Sequence, residues 1–161
     1  MDADEFETFV RDTAPALRRY ARAVTANPDQ AEELLQQTYV RMATTWHRLD
    51  AEGGPLTYAK LVMVRLHASR LRTIVRRSRS APAAPPSAAA EEVDSLRRLL
   101  AGLSPVQRVV LVMTYLDDLD DESIAAAIGR RPATVRSLRH RALLRVGLPI
   151  ARVRAAREVA G

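Results

Sequence analysis

The chain has 161 residues, which allow one domain or two small ones. Lys and Arg outnumber Asp and Glu by 25 to 19, and a basic protein of this size typically binds nucleic acid, an anionic membrane or an acidic protein. The lack of cysteine excludes disulfides and Cys-ligated zinc or iron–sulfur sites. The N-terminus is acidic and no apolar run reaches bilayer length, so we expect a cytoplasmic protein without membrane insertion.

The first half of the chain predicts helices. Apolar residues recur at helical spacing from Phe6 to Val24, and Pro15 either bends this helix or breaks it. Asn27 and Pro28 then form a helix start signal, with Asn as the N-cap and Pro at the first helical position. The second helix is predicted to bury Ala31, Leu34, Leu35, Thr38, Met42 and Trp46.

The opposite side of the second helix is acidic and amide-rich. It carries Asp29, Glu32, Glu33, Gln36, Gln37, Val40 and Arg41. A loop at 47–55 leads to a third helix from about Leu56 to Arg77, along which basic residues follow one another with no acidic residue between them. Such a run is more often a solvated face than a site, although charges of one sign repel each other unless an anion neutralises them.

The second half begins with a predicted linker at 78–90, which is rich in Ala and Pro and has no large apolar side chain. After an apolar stripe from Val93 to Leu103, Ser104 and Pro105 repeat the cap-and-proline signal. The helix that they open is predicted to carry Val109, Val110, Val112, Met113 and Leu116. For the acidic run at 117–122, capping of the next helix is favoured over a metal site, so we predict no metal.

A short helix with Ile124, Ala125 and Ile128 on one face is predicted to end at Gly129, since glycine adopts the left-handed conformation easily. Pro132 starts a further helix. That helix is predicted to bury Val135, Leu138, Ala142 and Val146 and to display Arg136, Arg139, His140, Arg141 and Arg145. The pattern favours a helix-turn-helix with its recognition helix over an ordinary helical hairpin with a solvated basic face.

Motifs of catalysis do not occur in the sequence. It has no glycine-rich phosphate loop, no HExxH and no nucleophile elbow, and its three histidines lie in different predicted elements. We therefore expect neither an enzyme nor a cofactor or small-molecule substrate.

Both halves together resemble a bacterial RNA polymerase sigma factor of the extracytoplasmic-function (ECF) type. The resemblance is carried by residues 29–41, Trp46, 55–58 and 70–72 in the first half, and by 103–111, 124–129 and 134–137 in the second. It implies an all-α protein of two small helical domains. These are a region-two-like bundle at 1–77 and a region-four-like helix-turn-helix domain at 91–148, with a tail at 149–161.

The resemblance also implies three roles. The polar side of the second helix would dock on the clamp helices of the largest polymerase subunit. The 47–55 loop and the third helix would open and hold the −10 strand, with Tyr58, Lys60, Arg65, Arg70 and Arg72 as candidate DNA contacts. Tyr58 and Trp46 could both stack on bases, yet both fit core stripes, and for Trp46 the core is favoured.

The helix-turn-helix would recognise the −35 element while its domain rests on the polymerase flap. Candidates for base edges are Arg136, Arg139 and His140, those for phosphates are Arg130, Arg131, Thr134 and Arg141, and Ser137 completes the set. Whether an anti-sigma factor also binds is left open by the sequence.

Three departures from the family pattern limit which family roles can be assigned to residues of this sequence. Arg65 and Ser69 replace common Asn and Asp residues, so −10 preference is not fixed, and Arg131 replaces a small capping residue. Leu138-Arg139 reverses the Arg-Leu order that is common in the family. Two assignments of the outward-facing positions of this helix, one residue apart, therefore remain. Two other functions stay open, namely a stand-alone helix-turn-helix regulator and a protein-binding adaptor that does not depend on Arg136 and Arg139.

Overall fold

The computed structural model describes residues 3–49, 53–77 and 102–147. Six α-helices and one 3₁₀ turn account for the regular structure of these residues, with no β-strand among them, which confirms the all-α prediction. The chain divides into two compact units, Met1–Pro82 and Ala83–Gly161. The predicted linker, the stripe from Val93 to Leu100 and the tail lie outside the described residues, and the predicted domain limits stay predictions.

The first unit contains helices α1 (Ala3–Thr25), α2 (Pro28–Thr45) and α3 (Gly54–Arg77), and a 3₁₀ turn at Trp46–Arg48. The three helices pack against one another around fully buried side chains such as Leu17, Leu34, Met42 and Met63. Pro15 lies inside α1 and does not break it.

Asn27 explains where α2 begins. Its side-chain Oδ1 accepts hydrogen bonds from the backbone N–H groups of Asp29, at 3.0 Å, and Gln30, at 3.1 Å. Pro28 occupies the first turn, where a missing N–H costs nothing. All six residues predicted to face inward are buried, five of them on α2 and Trp46 in the 3₁₀ turn that follows it.

Trp46 belongs to an aromatic cluster of the core. Its ring centroid lies 5.0 Å from that of Phe6 and 5.0 Å from that of Phe9, and Phe9 in turn meets Tyr39 edge-on at 6.5 Å. Aromatic pairs at these spacings stabilise a core beyond their buried area. The core interpretation of Trp46 is therefore confirmed.

The second unit contains α4 (Pro105–Tyr115), α5 (Asp121–Ile128) and α6 (Pro132–Arg145). A capping box opens α4: the Ser104 hydroxyl accepts from the Gln107 N–H at 3.2 Å, and the Gln107 side chain accepts from the Ser104 N–H at 3.0 Å. The prediction that Leu116 continues the α4 stripe is wrong. The helix ends at Tyr115, and Leu116 is an exposed C-cap residue.

The helix-turn-helix has the predicted turn. Gly129 adopts a left-handed conformation, with φ 68° and ψ 40°, and Pro132 begins α6. Ile124, Ala125 and Ile128 are buried as predicted.

The buried side of α6 differs from the prediction. Val135 and Ala142 are buried, but Leu138 and Val146 are only half-buried, and Leu143 is buried in their place. The buried side of α6 is therefore rotated from the predicted one so that it includes Leu143, because α6 packs against both α4 and α5. No helix within the described residues combines the length and apolarity that a membrane span requires.

Candidate nucleic-acid and protein interfaces

Helix α6 begins without help from a side chain. Its N-cap is Arg131, which has an extended backbone and makes no capping hydrogen bond. A guanidinium has donors and no acceptor, so it cannot receive the N–H groups of the first turn as Ser or Asn would. The departure at Arg131 therefore leaves those amides without a side-chain acceptor from the cap residue.

Most of the predicted −35 residues lie on the accessible side of α6 and its turn. Arg130, Arg131, Arg136, Ser137, His140 and Arg141 are exposed, and Thr134 is half-buried. Four of the exposed residues are arginines, the side chain that best contacts phosphate and guanine in two-point geometry. We call Arg130, Arg131, Thr134, Arg136, Ser137, His140 and Arg141 the α6 surface.

The prediction that Arg139 is displayed with this group is wrong. Its side chain is 24% exposed, and its Nη1 lies 2.5 Å from Oδ1 of Asp121 at the start of α5. Arg139 follows the buried Val135 by four residues and so lies on the same side of the helix. Arg136 also reaches this carboxylate, with 3.6 Å between its Nη1 and Oδ2 of Asp121.

The acidic run before α5 contributes a helix cap. Oδ1 of Asp120 accepts from the Ser123 N–H at 2.7 Å. This backbone hydrogen bond, together with one from the Ser123 side chain, lowers the pKa of Asp120. The capping interpretation is thus confirmed for Asp120. Within the described residues, no group of His, Asp and Glu side chains is arranged to hold a metal ion.

In the first unit, the polar side of α2 forms a largely exposed surface. Asp29, Glu33, Gln36, Gln37, Val40 and Arg41 are exposed and Glu32 is half-buried, and we call these seven residues the α2 surface. Val40 is an apolar residue with 68% of its area exposed.

Two ion pairs tie the α2 surface to the neighbouring helices. Arg18 of α1 places Nε 2.6 Å from Oε1 of Glu32. Arg70 of α3 places Nη2 2.7 Å from Oε1 of Glu33, and the Gln37 amide donates to the same oxygen at 3.3 Å. The two carboxylates are therefore oriented before any partner binds.

The predicted −10 residues of α3 differ in exposure and in their partners. Arg65 and Arg72 are exposed, Tyr58 is half-buried, and Nζ of Lys60 lies 5.1 Å above the Tyr20 ring. Together with Arg70 they form the α3 surface. A run of like charges requires an anion to neutralise it, and Glu33 supplies that anion for Arg70. Sequence spacing could not reveal this pair, because its residues lie 37 positions apart.

Comparison with known proteins decides the family. Residues 9–80 match the family described as Sigma-70 region 2, and residues 94–146 match the one described as Sigma-70, region 4. The chain is 32% identical over 150 residues to the RNA polymerase sigma-E factor of Streptomyces coelicolor, covering 88% of this chain and 84% of that protein. The chain is an ECF-type sigma factor of the sigma-70 family.

A further relative is as similar in sequence, and a solved structure has the same fold. The sigma factor is 32% identical over 153 residues to the sigma-E factor of Streptomyces avermitilis, covering 88% of this chain and 83% of that protein. It shares the fold of the sigma factor RpoE from Bartonella quintana, solved with the anti-sigma factor NepR. There the TM-score is 0.65 at 20% identity, and the match covers 89% of this chain and 95% of that chain.

Family membership gives the function in outline. A sigma factor directs core RNA polymerase to promoters and initiates DNA-templated transcription, and both the polymerase and promoter DNA are its partners. The region 2 match covers most of α1 and all of α2 and α3, and the region 4 match includes all of α4, α5 and α6. No observation favours a stand-alone regulator.

Proposed function

We propose that this sigma factor divides its work among its three surfaces. The α2 surface binds core RNA polymerase, the α3 surface holds the opened −10 strand, and the α6 surface recognises the −35 element. The observation that carries this proposal is the chemical contrast between them. The first is rich in carboxylate and amide groups, whereas the other two present exposed arginines. We further propose that it acts in the cytoplasm without catalytic chemistry of its own.

Docking through the α2 surface is supported by its composition. Val40 places an exposed apolar side chain among amides and carboxylates, and an apolar centre with a polar rim is typical of protein interfaces. Glu32 and Glu33 are oriented by Arg18 and Arg70, which lowers the side-chain entropy that these carboxylates lose on binding.

Strand holding by the α3 surface fits the energies involved. Opening duplex DNA gives up about 1.4 kcal/mol of stacking per base-pair step. Bases stacked on aromatic side chains recover about 1–3 kcal/mol each. Tyr58 is the accessible candidate, since Trp46 is buried, and Arg65 and Arg72 supply phosphate attraction without sequence preference.

Recognition of the −35 element by the α6 surface follows from helix-turn-helix geometry. The second helix of such a motif enters the major groove, where exposed side chains meet base edges. Arg136 and His140 are exposed along α6, and Arg130, Arg131 and Arg141 flank them as candidates for phosphate contacts. Arg139 is not in this group, because its guanidinium is engaged by Asp121.

We also propose an anti-sigma factor as a further partner. Support comes from the Bartonella RpoE, which was solved bound to such a protein and has the same fold.

Co-purification with core RNA polymerase of its own host, followed by run-off transcription, tests the main proposal. A Glu33→Arg/Gln37→Ala variant should lose core binding, whereas Glu7→Arg, a matched change at an exposed glutamate of α1, should retain it. An Arg136→Ala/His140→Ala variant should bind core and fail to start transcripts at the promoter. Retained core binding by the first variant, or no association of the wild type at low salt, would overturn the proposal.

A further inference from the structure

Asp121 lies where the two helices of the helix-turn-helix meet, and it is shared by two arginines of α6. Its carboxylate is 2.5 Å from Nη1 of Arg139 and 3.6 Å from Nη1 of Arg136. The Asp121 and Arg139 side chains are 21% and 24% exposed, whereas Arg136 is 60% exposed. One arginine is thus packed into the pair, and the other reaches it from the solvent side.

The charges in this trio constrain what each arginine can do. A guanidinium stays protonated at every physiological pH, so Arg139 has to remain charged and requires an anionic partner in its half-buried position. Asp121 supplies that partner in the free protein. Asp121 therefore neutralises the charge that Arg139 could offer a phosphate, while Arg136, which is 60% exposed and 3.6 Å from the second carboxylate oxygen, can reach DNA without breaking a hydrogen bond.

The carboxylate also repels DNA phosphates. Affinity for any duplex rises with the number of cations that neutralise phosphates, irrespective of sequence. Sequence preference comes instead from side chains held at base edges. An acidic residue that withholds one arginine from the phosphates lowers the sequence-independent affinity. If it also orients another arginine at base edges, it preserves the sequence preference.

We propose that Asp121 is a positioning residue that sets the specificity of −35 recognition. It acts through Arg139, which it keeps from the phosphates, and through Arg136, which it orients toward base edges. This inference rests on the proposed role of the α6 surface. It adds that discrimination between promoter and random DNA depends on a side chain of α5 that itself contacts no base.

The test compares two duplexes bound by the holoenzyme reconstituted from the full chain and core polymerase. One carries a −35 sequence selected by the wild-type holoenzyme from a library randomised at that element, and the other carries the same sequence scrambled. Asp121→Asn should bind the scrambled duplex more tightly, with a salt dependence steeper by about one phosphate contact. The preference for the selected duplex should fall about tenfold, the amount that one well-placed base contact provides.

Matched variants separate this role from a structural one. Glu122→Gln removes the same charge at an exposed neighbour in the first turn of α5 and should leave the preference unchanged. Asp121→Glu keeps the carboxylate and should restore most of it. In an Arg139→Gln background, Asp121→Asn should tighten binding to the scrambled duplex less than it does with Arg139 present, because only the repulsion by the carboxylate is then removed.

Two results would overturn the inference. One is an unchanged preference and salt dependence in Asp121→Asn, and the other is an equal loss of affinity for both duplexes, which would indicate a purely structural residue. Failure of the proposed function gives a different outcome, because Arg136→Ala/His140→Ala would then also leave the preference unaltered.

Discussion

Nη2 of Arg70 on α3 lies 2.7 Å from Oε1 of Glu33 on α2, so a residue of the α3 surface is bonded to a residue of the α2 surface. The two side chains are 28% and 60% exposed. Because both side chains are partly exposed to solvent, water screens the ion pair, and the long side chains lose conformational entropy when they are fixed. The pair therefore aligns two binding surfaces within one unit more than it stabilises the fold.

Removing this pair should change stability little. We expect Arg70→Gln to alter the free energy of unfolding by less than about 1 kcal/mol, as for other exposed ion pairs. Urea denaturation followed by circular dichroism measures this, with Arg11→Gln as the control because Arg11 forms a more exposed ion pair with Glu7 within α1. A loss well above that of the control would show that the pair holds α2 and α3 together.

Truncation of Trp46 should have the opposite effect. Trp46→Ala removes the ring that contacts Phe6 and Phe9, and deletion of a large buried aromatic costs about 3–5 kcal/mol. Thermal unfolding should show a large loss for Trp46→Ala and a smaller one for Trp46→Phe, which keeps an aromatic ring in the cluster. A folded, fully stable Trp46→Ala protein that fails only in strand opening would contradict the core assignment.

The turn of the helix-turn-helix should depend on glycine at position 129. Its φ of 68° is left-handed, and a side chain with a Cβ in that conformation costs about 1–2 kcal/mol. We expect Gly129→Ala to lower the melting temperature of the second unit, as measured by calorimetry. Gly129→Asn should lose less, since asparagine tolerates this conformation better than alanine does. Equal stability of all three proteins would contradict this account.

Acid should weaken the start of α5. The Ser123 N–H bond lowers the pKa of Asp120 in the folded state, below an unfolded value of about 3.9. A carboxyl whose folded pKa is lowered stabilises the fold above its unfolded pKa, and this contribution disappears as pH falls through the folded pKa. The second unit should thus lose stability below about pH 4.

The pH effect can be assigned to Asp120 by a substitution. Asp120→Asn keeps a good N-cap but cannot titrate. The free energy of unfolding of this variant should therefore fall less than that of the wild type between pH 5 and pH 3. These two values lie about one unit above and below the pKa of an unfolded aspartate. The Ser123 amide shift in an NMR titration would give the pKa directly. A midpoint at or above that of an unfolded aspartate would contradict the prediction.

Local signals in the sequence predicted most of the fold. Asn27-Pro28 and Ser104-Pro105 mark helix starts because a cap depends on two or three adjacent residues, and Gly129 marks a stop for the same reason. The inward side of α2 also followed from periodicity alone. Such features depend on neighbours in the chain, so no knowledge of packing was needed.

The ion pairs could not be predicted in this way. Arg70 looks like one more basic residue of α3 until α2 places Glu33 beside it, and Arg139 looks outward until α5 places Asp121 against α6. Small rotations of a helix also escape periodicity, as Leu143 shows by being buried where Leu138 was expected. The candidate surfaces were thus predicted as lists of residues, whereas the charge that each residue offers a partner depends on packing.

The aromatic cluster around Trp46 has a practical consequence. The sequence contains a single tryptophan, and it lies in the first unit, packed between Phe6 and Phe9. Fluorescence excited at the red edge of indole absorption therefore reports on that unit alone. The helix-turn-helix contributes no tryptophan emission of its own, so its melting has to be followed by a label or by NMR.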